Sequence, residues 1–83
     1  MEEKLKYISY NMKSSRVRLG YSQEKMADLL GISRATYNDY EVNPQRLKIE
    51  TMQQIANILH CDIVDFFVKI KVTNSYNNEI EGE

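Results

Sequence analysis

His60 and Cys61 are the one histidine and the one cysteine of the chain. They are the residue types from which a nucleophile with its base, or part of a zinc site, would be built. Neighbours on a helix diverge by about 100°, so this pair near a helix end does not converge on one atom. A small cysteine that closes a helix against the core accounts for Cys61 without any chemistry. No glycine-rich phosphate loop is present. Catalysis, a metal and a cofactor are therefore not expected. A lone cysteine also excludes an intramolecular disulfide, and without a signal peptide or a long apolar run the expected setting is the cytoplasm, away from membranes.

The remaining chemistry is that of charge. A net charge of −1 over 83 residues argues at first against a polyanionic partner, because basic patches supply most non-specific affinity for nucleic acid. The average hides an asymmetry. Through Lys48 there are nine lysines and arginines against six acids, a net of +3; from Ile49 onward two bases face six acids, a net of −4. The basic half also holds the most informative segment.

That segment runs from Gln23 to Glu41, QEKMADLLGISRATYNDYE, and reads as two short helices joined by a tight turn. Met26, Ala27 and Leu30 lie on the inner face of the first, and Tyr37 and Tyr40 on that of the second. Ala27 is small where the helix backbones cross, and Gly31 takes the left-handed conformation that ends a helix without steric cost. Ser22 and Ser33 are N-caps, and Glu24 lies in a first turn where the helix dipole favours an anion. A helix fits the major groove of DNA, and the outward face of the second helix, Arg34 to Asp39, is polar.

Other elements must hold this pair. Leu5, Ile8, Met12 and Leu19 recur at helical spacing, which predicts a helix over Glu3 to Leu19, ended by Gly20. Val42 to Arg46 is expected to be a loop in which Pro44 blocks helical continuation. Met52, Ile55, Ala56 and Leu59 predict a fourth helix over Ile49 to Leu59. Asp62 with Asp65 looks like an N-cap and its supporting acid, starting a short fifth helix, Ile63 to Phe67. So short a helix cannot bury both Phe66 and Phe67 in one monomer. Val68 to Thr73 alternates apolar and polar residues, the signature of a half-buried strand; a fifth helix continuing to about Val72 is the alternative. Residues 1–68 thus form one domain, and 69–83 a strand and a flexible polar tail.

The segment resembles the helix-turn-helix of the lambda repressor, Cro and Xre family, from about Met12 to Phe67. The resemblance implies an all-α fold of five helices and a sequence-specific DNA-binding transcriptional regulator. In such proteins the second helix of the motif reads bases with its N-terminal residues while the first spans the backbone. By position, Arg34, Ala35 and Asp39 would read bases. Arginine bonds guanine O6 and N7 together, alanine packs on a thymine methyl, and Asp39 would accept from cytosine N4, orient Arg34, or remain a solvated charge. Phosphate contacts would come from Gln23, Thr36, Asn38, Asn43, Arg46 and Lys48. The family commonly pairs a base late in the first helix with the acid ending the reading helix, here Arg16 and Glu41; the resemblance leaves open whether that pair is buried. Val42-Asn43 replaces the usual Asn-Gly pair after the acid, and asparagine tolerates the left-handed conformation such a turn uses. Tyr37 and Tyr40 replace aliphatic residues, with hydroxyls expected at the domain edge, in solvent or on a phosphate.

A single strand lacks a partner within the chain, so a second copy is expected to cover it. Phe67, Ile70 and Val72 are the expected dimer contacts, and a homodimeric repressor on a pseudo-palindromic operator follows from the family. The alternative is an antitoxin or anti-repressor that acts mainly by binding a protein partner.

Overall fold

Ile8, Met12 and Ser15 line the buried side of the first helix, α1 (Glu3–Arg18), in a computed structural model that describes residues 3–69. The apolar stripe runs through a serine at its third position and does not reach Leu19, which is 39% exposed. Three helices follow: α2 (Gln23–Leu30), α3 (Arg34–Val42) and α4 (Ile49–Ile58). Two 3₁₀ segments complete the architecture, Pro44–Arg46 between α3 and α4, and Ile63–Phe67 after α4.

Two expectations change here. The stretch after α3 is not an open loop: Pro44 starts a 3₁₀ turn, where its missing N–H costs nothing, and is itself buried. The fifth helix is a 3₁₀ segment of five residues rather than an α-helix, so the described residues are all-helical with four α-helices. Its start is capped as expected, since Asp62 Oδ1 accepts from the Val64 N–H at 3.1 Å and Asp65 Oδ2 from the Asp62 N–H at 3.1 Å. It does not continue as helix, because Val68 is extended at φ −76°, ψ 132°. No strand occurs among the described residues. Most of the expected Val68–Thr73 strand lies outside them.

Helix ends follow local chemistry. Ser22 Oγ accepts from the Lys25 N–H at 2.9 Å, and Ser33 Oγ from the Thr36 N–H at 3.0 Å. Gly20 and Gly31 adopt φ 77° and 71°, and the N–H groups just beyond them turn back onto the carbonyls of Arg16 and Ala27. The same device closes α4 with His60 at φ 57°, where the Cys61 N–H reaches the Ala56 carbonyl at 3.0 Å. A β-carbon in that conformation costs roughly 1–2 kcal/mol.

Met12, Met26, Tyr37, Ile55, Ala56 and Phe66 are fully enclosed where the four helices meet. Phe66 is buried and Phe67 is 47% exposed, so only one of the adjacent pair enters the core. Asn11 of α1 fixes the end of the fold by donating through Nδ2 to the carbonyls of Phe66 and Val68, both at 2.9 Å. Among the described residues, no helix is long and apolar enough to cross a membrane.

Candidate nucleic-acid interface

The first turns of α3 are presented almost entirely to solvent. Ser33, Arg34, Ala35, Thr36 and Asn38 are exposed, while Tyr37 between them is fully buried. One inward ring thus anchors a helix whose other early positions face outward. Thr36 is also tied to the cap, since Ser33 donates from Oγ to Thr36 Oγ1 at 2.8 Å.

The far end of α3 is fixed by a carboxylate. Glu41 is 5% exposed and takes Arg16 Nε at 2.6 Å on Oε2 and Arg16 Nη2 at 3.2 Å on Oε1. The Arg16 Nη1 group donates to the Tyr21 carbonyl at 2.8 Å, which brings the α1–α2 turn into the same cluster. The pair is therefore buried, the point the resemblance left open. Hydrogen bonding to Glu41 raises the Arg16 pKa still further.

Tyr37 departs from expectation. Its hydroxyl reaches neither solvent nor a site where a phosphate can approach; it is buried and donates to Glu41 Oε2 at 2.6 Å. Burial first, and the Glu41 carboxylate second, push this phenol well above the ordinary tyrosine range. Sequence reasoning missed the link, although Tyr37 and Glu41 stand four apart on one helix face.

Gln23 and Asn38, both expected at phosphates, are brought together. Gln23 Nε2 donates to Asn38 Oδ1 at 2.9 Å and to Glu41 Oε1 at 3.2 Å. They form one wall of an open groove whose other side carries Lys6, Tyr10 and Lys13 of α1. The two lysines were not singled out in the sequence, because nothing local to α1 shows which helix it will lie beside.

Asp39, Asn43 and Arg46 make a second cluster. Asp39 Oδ1 accepts from Asn43 Nδ2 at 2.8 Å, and both its oxygens from Arg46 Nη1 at 3.2 Å. Asp39 is thus paired with Arg46, not Arg34. Asn43 has φ −126° and ψ 68°, so the turn after Glu41 does not use the left-handed conformation. Lys48 is exposed at the start of α4. Among the proposed dimer contacts, Phe67 is exposed beside exposed Val64 and Val68, and Ile70 and Val72 lie outside the described residues.

His60 and Cys61 fall just past α4. Desolvation, then the negative charge of Asp65, raises the Cys61 thiol pKa and keeps it protonated. No group of three or more metal-ligating side chains exists among the described residues.

A helix-turn-helix family profile matches residues 12–66, which span α2, the turn and α3 with the helices that carry them. The chain is 40% identical over 58 residues to the SPbeta prophage-derived uncharacterized HTH-type transcriptional regulator YonR of Bacillus subtilis (strain 168), covering 70% of this chain and 53% of that protein. It is 36% identical over 62 residues to the uncharacterized HTH-type transcriptional regulator YqaE of the same organism, covering 75% of this chain and 53% of that one. The chain therefore spans about half the length of these relatives. No solved structure matches it significantly. With the expected capped helix pair seen in the fold and the profile covering most of the chain, the protein belongs to the Xre-type helix-turn-helix family.

Proposed function

We propose that the protein is a sequence-specific DNA-binding transcriptional regulator of the cytoplasm, a homodimeric repressor that occupies a pseudo-palindromic operator and blocks polymerase. The observation that carries this is the exposed N-terminal half of α3, polar and held rigidly from behind by Tyr37 and Glu41. A helix presented in this way enters the major groove with Arg34 and Ala35 at base edges. Asp39, carrying Arg46, reads or excludes a base one turn later. Gln23 through its backbone N–H at the start of α2, with Thr36, Asn38, Asn43, Arg46 and Lys48, surrounds that contact and sets its register on the phosphates.

One such helix reads too few bases to select a site. The exposed Val64, Phe67 and Val68 supply an apolar surface that, together with Ile70 and Val72, a second copy would cover. A two-fold dimer would place two reading helices in successive major grooves about 34 Å apart.

Binding selection from random duplexes should return a two-fold symmetric site. Arg34→Ala should retain the fold and lose discrimination at one base pair, worth about 1–3 kcal/mol; unchanged selectivity would remove the base-reading role. Sedimentation of wild type and Ile70→Asp at micromolar concentration should differ if the dimer surface is correct, and identical monomer profiles would refute it.

A further inference from the structure

The hydrogen bonds around Glu41 separate two residues that position alone makes equivalent. An ionised carboxylate only accepts, and Glu41 already takes Arg16 and Tyr37. Gln23 must therefore turn its amide nitrogen, not its oxygen, toward Glu41. That nitrogen has two protons, and both are committed, one to Glu41 Oε1 and one to Asn38 Oδ1. Gln23 is left with a carbonyl oxygen, which a phosphate repels. Asn38, having accepted through its oxygen, keeps both Nδ2 protons uncommitted among the described residues and is exposed. The groove it lines also carries Lys6 and Lys13, whose charge draws an anion to that place.

We propose that Asn38, not the side chain of Gln23, donates to a DNA phosphate oxygen at this corner of the site, and that Gln23 is the positioning residue that aims it. The chain of orientation runs from Arg16 and Tyr37 through Glu41 and Gln23 to Asn38. This rests on the DNA-binding reading above. A phosphate contact is independent of sequence, so it can be tested before any operator is known.

The probe is a short random-sequence duplex at low salt. Titrating it into the ¹⁵N-labelled full chain should shift the Asn38 side-chain amide and leave that of Gln23 in place. Asn38→Asp preserves an acceptor for Gln23, so its melting temperature should match wild type while affinity falls about tenfold or more, the loss of a charge-assisted bond. Asn38→Ala should weaken binding similarly. Gln23→Met should lower the melting temperature, because Glu41 loses a donor, and weaken binding less than either Asn38 variant. A moving Gln23 amide with a stationary Asn38 amide would overturn the assignment, as would unchanged binding by Asn38→Ala. Failure of the wild type to bind any duplex would instead refute the DNA-binding reading itself.

Discussion

Asp39 and Glu41 are two carboxylates two residues apart on α3, and each holds an arginine from another part of the chain. Their surroundings differ. The Arg16–Glu41 pair is 9% and 5% exposed with a closest approach of 2.6 Å; the Arg46–Asp39 pair is 64% and 34% exposed at 3.2 Å. Two steps along a helix turn a side chain by about 200°, from the core side to the groove side. Identical chemistry therefore serves scaffold in one case and surface in the other. In the interior, Coulomb attraction is strong but so is the cost of an unmatched charge, and Glu41 is matched by Arg16, Tyr37 and Gln23. Near solvent the pair is screened, and Arg46 is available to exchange Asp39 for a phosphate.

Removing one buried partner is the strongest way to break this contrast. Glu41→Ala strands Arg16 and should cost about 3–5 kcal/mol in urea unfolding, enough to unfold much of so small a domain. A loss below about 1 kcal/mol would place the pair on the same footing as Asp39. Tyr37→Phe is the next test, since it deletes a bond to a charged acceptor without opening a cavity and should cost about 1.5–3 kcal/mol.

The same phenol makes a prediction in pH. Its pKa is raised in the folded state from the usual 10.0, so the stability it contributes is complete below about 10 and is lost as pH rises past that value toward the folded pKa. Spectrophotometric titration of the tyrosines should find one that ionises only with unfolding, and Tyr37→Phe should remove that late step. Complete titration in the native state would contradict its burial. The smallest effect is reserved for the surface pair. Asp39→Asn or Arg46→Ala should alter stability by under about 1 kcal/mol, an effect erased by added salt. Their consequence belongs to DNA binding: Asp39→Asn frees Arg46 and should strengthen non-specific binding in a filter assay, whereas weaker binding would mean that Asp39 positions Arg46 for its contact.

Much of the motif was legible because it is local. Ser22, Gly31 and Ser33 act on backbone groups within a few residues, so their types and spacing suffice to set two helix starts and an end. Elsewhere the local signal misled or was silent. Leu19 has the right spacing for the core, but the chain turns at Gly20 before it can be covered. Pro44 signals a break in α3, yet it can begin a 3₁₀ turn and pack inward. His60 closes α4 as a glycine would, with nothing in its side chain to announce it. Asn11 looks like any polar residue on a helix, and only the return of residues 66 and 68 to α1 gives it two carbonyls.

By itself the sequence determined the paired helices, their caps, the exposed polar start of α3 and the family, since each follows from periodicity or from bonds spanning a few residues. Whether Arg16–Glu41 is buried, which arginine Asp39 binds and which amide of Gln23 and Asn38 faces outward were decided by tertiary structure alone. Each depends on groups separated by 7 to 25 positions sharing one small volume. A carboxylate that can only accept then dictates the orientation of every donor around it.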